Sequence, residues 1–153
     1  MKKYKSIALV TAGLLAFSGS SVVAVKMKNA PLCRIEVSYP HISTSLIKNK
    51  GIRAVKINAY STCNRPHSRI TLTVEIWKEG LFLKEKLFST TERRSTPIPA
   101  YERFYNNSTF IPCLNRKLTK YYGIAYAKAL INDKWHYARD QLDIEFKVIP
   151  CGT

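Results

Sequence analysis

The chain has few acidic side chains, few glycines and no signature of a known chemistry. It has 10 Asp and Glu and 6 Gly in 153 residues. There is no Gly-x-Ser-x-Gly elbow to lift a nucleophile, no His-Glu-x-x-His helix and no glycine-rich loop to cradle a phosphate. The hydrolase, metalloprotease and nucleotide-binding classes that depend on those motifs therefore gain no support, and no catalytic residue or cofactor is assigned. The closely spaced cysteine pairs of a zinc site are also lacking. The nearest approach is Cys63 with His67, which has no second pair, so no metal is assigned. Beyond Phe17 no apolar run approaches the roughly 20 residues that span a bilayer. No internal repeat or low-complexity tract interrupts the chain.

What the chain does have begins with an export signal. Lys2, Lys3 and Lys5 precede an apolar stretch from Ile7 to Phe17, which is followed by small residues up to Ala24. Residues 1–24 are read as a signal peptide and residues 25–153 as one secreted, extracellular domain. Loss of the three lysines lowers the formal charge from +15 to +12. Such a charge attracts anionic polymers or surfaces, whether cell-wall polymer, nucleic acid or membrane. It also keeps a sheet protein soluble, and by itself it names no partner.

Apolar residues recur with a period of two, the spacing of half-buried strands. Cys33, Ile35, Val37 and Tyr39 alternate with Arg34, Glu36 and Ser38. The same holds for Val55 to Tyr60, Ile70 to Ile76, Tyr122 to Tyr126 and Leu142 to Val148. Every proline is expected at a strand end or between strands, where its missing N–H does no harm. Turn residues at Lys48 to Gly51, Asn64 to Pro66, Glu79-Gly80 and Asn132-Asp133 separate the strands. The pattern indicates an all-β fold: an immunoglobulin-like antiparallel β-sandwich of about seven strands with two disulfides. Leu81 to Phe88 and Tyr121 to Leu130 are undecided between helix and strand. Leu114 to Lys120 reads as a loop, and Ser89 to Ala100 as the least regular stretch.

Four cysteines allow three pairings. The midpoint of Cys33 and Cys63 is position 48, in the first of those turns, and that of Cys113 and Cys151 is position 132, in the last. Strands folded back at those points pair Cys33 with Cys63 and Cys113 with Cys151.

If strands alternate in direction, three tracts share one end of the sandwich. That end gathers Lys48, Lys50, Arg53, Lys78, Arg116, Lys117 and Lys120, the candidate polyanion-binding residues. The opposite end carries Arg65, Arg69, Arg93 and Arg94. Trp77 and Tyr60 fall on the polar phase of their strands, and Tyr101, Phe104 and Tyr105 flank a loop, so aromatic stacking is a second mode of contact. His41 and His67 beside prolines read as solvated turn residues. His136 and Asp140 share a strand face, where cross-strand support is the simpler role. Tyr121 or Tyr122 is a candidate tyrosine corner. Asn107-Ser108-Thr109 is a glycan acceptor only in a eukaryotic secretory route.

Ile42-Ser-Thr-Ser-Leu46, Ile57-Asn-Ala-Tyr-Ser-Thr-Cys-Asn64, Leu72-Thr-Val-Glu-Ile-Trp77, Tyr105-Asn-Asn-Ser-Thr109, Tyr121-Tyr-Gly-Ile-Ala-Tyr126 and the final Cys151-Gly-Thr153 resemble small uncharacterised secreted proteins of Gram-positive bacteria, some of them prophage-borne. The resemblance covers most of residues 25–153. It implies an exported, disulfide-bonded sandwich and brings no catalytic motif or ligand. The expected function is a non-catalytic binding or interaction protein for an anionic extracellular partner. A small secreted hydrolase such as a ribonuclease, and an envelope-active toxin, are the alternatives.

Overall fold

A computed structural model describes residues 31–80, 83–141 and 147–153. The expected signal peptide lies outside the described residues, as does most of the Leu142 to Val148 alternation. Antiparallel strands dominate. In chain order they are β1 (Cys33–Val37), β2 (His41–Ile42), β3 (Ala54–Lys56), β4 (Ala59–Cys63), β5 (Arg69–Glu79), β6 (Lys84–Arg94), β7 (Arg103–Asn106), β8 (Phe110–Pro112), β9 (Asn115–Ile131), β10 (Lys134–Gln141) and β11 (Lys147–Gly152). A single helical segment among the described residues, α1 (Thr44–Lys50), separates β2 from β3.

The strands form two layers. One is a five-stranded sheet of order β10-β9-β5-β6, with β11 paired to the first part of β9. The other consists of two short sheets, β1-β4-β7 and β2-β3-β8. These are halves of one interrupted layer. Ser38 N–H donates to Asn58 O at 2.8 Å and Ile57 N–H to Thr109 O at 3.1 Å, which carries the pairing across the gaps.

Side-chain alternation explains why the layers meet. Ile70, Leu72, Val74 and Ile76 on β5 are buried, with Ala125, Ala127 and Ala129 on β9. Leu72, Val74, Ile76, Ala125 and Ala127 pack with Ile35, Val37, Val55, Ile57 and Ala59 from the opposite layer, while Ile70 and Ala129 join Cys33, Cys63, Ile98 and Ile131 in a second cluster. Each large aliphatic side chain fully removed from water in this way stabilises the fold by about 1.5–3 kcal/mol. Gly123 leaves no room for a side chain between the layers: a Cβ there would stand 2.9 Å from Ile57 Cδ1 and 3.2 Å from Val37 Cγ2.

The pairings Cys33–Cys63 and Cys113–Cys151 are both present. The first bridges directly opposed residues of β1 and β4. The second follows from the reversal at Asn132-Asp133, after which β10 and then β11 run back along β9.

Several local expectations are overturned. Lys48 to Gly51 is not a simple turn but the end of α1. The Ser43 hydroxyl caps that helix by accepting from Leu46 N–H, and Gly51 terminates it at φ 67°. Leu114 to Lys120 is not a loop, because β9 begins at Asn115 and is held there by β11. Ser89 to Ala100 is ordered through Arg94, where β6 pairs with β5 along its whole length. The undecided stretch at Tyr121 is strand, as is the part of Leu81 to Phe88 from Lys84 onward. Eleven strands among the described residues replace about seven, mainly because the second layer is broken into short pieces. Pro150 lies inside β11, which pairs only with β9, so its missing N–H spoils no second ladder.

Candidate functional site

The outward face of the five-stranded sheet is built from the polar phase of the same strands that form the core. Residues directly opposite one another share a face, so the register defines the rows. Tyr137, Lys128, Thr71 and Arg93 make one row across β10, β9, β5 and β6. Arg139, Tyr126, Thr73 and Thr91 make the next. Trp135, Leu130 and Arg69 lie on the other side of the first.

Arg69, Arg93 and Lys128, with Thr71, Thr73, Thr91 and Trp135, line a depression of about 430 Å³. None of the three cations forms an ion pair with a described residue. Lys128 Nζ lies 5.1 Å from the Trp135 ring and Arg139 Cζ 5.5 Å from the Tyr126 ring. Lys128 and the neighbouring Arg139 are thus held over aromatic faces, which attract them without neutralising them. Tyr137 is 73 % exposed and Trp135 41 %. Arg94, at the rim, differs: Glu102 accepts from it at 2.7 Å and Thr96 at 2.8 Å.

Further along the same face the groups satisfy one another. Glu75 is nearly buried; it accepts from Trp77 Nε1 at 2.8 Å and from Lys86 Nζ at 3.3 Å. Trp77 stacks on Tyr122, with centroids 5.9 Å apart and planes 22° from parallel. This stretch therefore divides the open cationic depression from the opposite end of the sheet.

That opposite end contains the basic tracts expected from the sequence. Lys78 lies near the end of β5, Arg116, Lys117 and Lys120 lie on the first part of β9, and Arg53 immediately precedes β3. Arg53 donates to Pro150 O at 3.1 Å, and Lys78 Nζ to Thr153 O at 3.3 Å. Lys78 also pairs with Glu85 at 3.2 Å, and Lys120 with Glu79 at 2.8 Å. Lys48 and Lys50 occupy the last turn of α1, where they face the negative end of its dipole. Lys48, Lys50, Arg116 and Lys117 form no ion pair with a described residue. Of the four arginines expected at the other end, Arg69, Arg93 and Arg94 meet around the depression.

The aromatic residues divide by face. Tyr60 and Tyr105 stand side by side on the outer surface of the second layer, 5.6 Å apart, with Arg103 Cζ 4.5 Å from the Tyr60 ring. A hydrogen bond to Glu36 holds the Tyr60 hydroxyl above the usual tyrosine range, and Arg103 acts in the opposite sense. Phe104 points inward against the core. Tyr101 is exposed and adopts φ 66°.

The remaining candidates resolve as structural. His67 is buried rather than solvated, because its backbone bridges to Ile98 and its ring Nδ1 bonds Arg65 O. His41 is exposed. Asp140 accepts from Val37 N–H and Gln141 N–H, tying β10 to β1 instead of pairing with His136. Cys63 is committed to its disulfide and cannot ligate a metal beside His67. Tyr121 is not a tyrosine corner: its hydroxyl donates to Cys151 O, thirty residues downstream. Thr109 of the sequon is buried and bonded to Asn106. Among the described residues no His, Cys, Asp or Glu cluster could hold a metal, and no helix is long and apolar enough to cross a membrane.

The polar phase of β5 is legible in the sequence, whereas the contribution of β10 is not singled out there. Its signal is the alternation Trp135, Tyr137, Arg139, which places three large side chains on one face. No family model matches this chain, and no curated protein matches it.

Proposed function

We propose that the protein is a secreted, non-catalytic binding protein with a basic surface for an anionic extracellular partner. The observation that carries this reading is the depression lined by Arg69, Arg93 and Lys128. Three cations share one concave surface, and none is neutralised by a described carboxylate. Like charges gathered in this way repel one another, and an anion that bridges them removes the repulsion. Lys48, Lys50, Arg116 and Lys117 extend the same preference to the other end of the sheet.

The two disulfides suit an exported protein, in keeping with the signal-like start and the resemblance to exported Gram-positive proteins. An immunoglobulin-like topology is supported by strand order. Counted with its interruptions joined, one layer holds the first, second and fifth strands, and the other holds the seventh, sixth, third and fourth. In a constant-type immunoglobulin domain the fourth strand would join the first layer.

The test is retention by labelled polyanions over a salt series. Three contacts made by Arg69, Arg93 and Lys128 contribute about 2 to the slope of log affinity against log salt for a single strand, at about 0.7 per contact. The triple change to Glu is expected to remove that slope and most of the affinity. The matched change of Lys48, Lys50, Arg116 and Lys117 is expected to have a smaller effect. Unchanged retention after both sets would refute the reading.

A further inference from the structure

We infer that the depression is a stacking platform for single-stranded nucleic acid, with the rings of Trp135 and Tyr137 receiving bases and Arg69, Arg93 and Lys128 receiving phosphates. This rests on the polyanion-binding reading and narrows its ligand to a polymer that carries both rings and charge.

The composition of the surface selects that class. Around the depression, the residues of the three rows are four cations, three threonines, one leucine and three aromatic rings; none is a carboxylate. A neutral sugar offers hydroxyl hydrogens that need acceptors, and beside the three threonine hydroxyls the guanidinium and ammonium groups supply donors alone. The ligand must therefore bring its own negative oxygens. A polyanion without rings would use the cations but leave Tyr137, Trp135 and Tyr126 unused. These rings are 73 %, 41 % and 36 % exposed, on β10 and β9 beside the cations. Bases stack on such rings irrespective of sequence, because every base has a π-face.

Geometry favours a single strand over a duplex. Strands in a sheet are about 4.8 Å apart and same-face residues along a strand about 7 Å apart, so the platform presents rings and cations in alternation on a shallow surface. Bases in a duplex are already stacked on each other and cannot meet a ring on the sheet surface, whereas those of a single strand splay out freely. Thr71, Thr73 and Thr91 form the floor, with Thr73 and Thr91 hydroxyls joined at 2.9 Å. Arg93 and Lys128 line the same depression, on either side of Thr71 in the register.

The experiment uses the oxidised full chain with three probes: an oligo-dT of about twelve nucleotides, the same length of duplex, and inorganic polyphosphate of equal charge. Trp135→Ala and, separately, Tyr137→Ala are each expected to weaken oligo-dT binding about tenfold, the scale of one stacked base. Their affinity for polyphosphate is expected to stay within about twofold. Oligo-dT should quench tryptophan fluorescence in the natural protein and do so less in Trp135→Phe. Because Tyr137 projects from an edge strand, its variant keeps the test valid should Trp135→Ala fail to fold. If polyphosphate binds as tightly as oligo-dT and neither variant changes either affinity, stacking is refuted while polyanion binding stands. If the duplex binds as tightly as the single strand, the platform is likewise refuted. If no probe binds, both readings fall.

Discussion

The two ends of the large sheet are both rich in lysine and arginine, yet they hold those charges differently. At the end closed by Cys113–Cys151, Lys78 and Lys120 are neutralised by Glu85 and Glu79, and Arg53 is tied to the Pro150 carbonyl. At the other end Arg69, Arg93 and Lys128 surround an open depression with no described carboxylate against them. A count of basic residues rates the first end higher. Availability rates the second higher, because a cation already paired must break that pair before it can meet a ligand. The difference arises from β-register: Glu79 and Glu85 lie across from basic residues, whereas the threonines of β5 and β6 do not compete for Arg69 or Arg93.

The comparison can be broken first at the closed end. Cys113→Ser with Cys151→Ser opens a loop with sequence separation 38. The chain-entropy relation gives a loss of about 4 kcal/mol, to be read by denaturant unfolding. Retention by polyanions at the open end should persist under conditions where the variant is folded. Loss of retention there would show that the two ends are not independent.

Gly123→Ala strikes between the ends, where the layers leave no room for a Cβ. With a Cβ 2.9 Å from Ile57 Cδ1, overpacking is expected to cost about 1–3 kcal/mol. The same measurement checks it, and a neutral result would mean that Ile57 moves aside freely.

Glu75→Ala sharpens the comparison by removing the carboxylate that separates the two basic regions. It leaves Trp77 Nε1 and Lys86 without their acceptor, and stability should fall by about 1–3 kcal/mol. Polyanion affinity should rise at the same time, since the middle of the face becomes cationic. A fall in both would assign Glu75 a role in shaping the depression.

The smallest effect belongs to the opposite layer, which serves as a control. The Tyr60 pKa is raised chiefly by its hydrogen bond to Glu36. A raised tyrosine pKa means that the folded state holds the proton more tightly than the unfolded chain. Its stabilising contribution is therefore complete below the unfolded value of about 10. It is lost as pH rises through the folded value. Ultraviolet titration should show one tyrosine ionising late, and Glu36→Gln should return it toward the ordinary range without changing polyanion retention. A late titration that persists in Glu36→Gln would point to desolvation instead.

Much of this architecture is visible in the residues. The alternation of Ile70, Leu72, Val74 and Ile76 with polar neighbours marks β5 and its buried face, and the reversal at Asn132-Asp133 places Cys113 against Cys151. The helix α1 was equally present in outline, with Ser43 as its cap and Gly51 as its stop. Its short apolar pattern is dominated by turn-forming residues, which hides it. Asn115 to Lys120 reads as a loop because its sequence is polar on both phases. Only pairing with β11, whose residues lie far along the chain, makes it strand. The same reason hides the candidate site: Arg69, Arg93, Lys128 and Trp135 come from four strands and share no motif.

The amino-acid order by itself determined the all-β class, the disulfide pairing and the excess of positive charge, because alternation, turn chemistry and charge are local properties of the chain. Which of those charges stand open, and which rings stand beside them, was decided only by tertiary structure. Antiparallel register sets the neighbour of every outward side chain, and that neighbour determines whether a cation is paired or available.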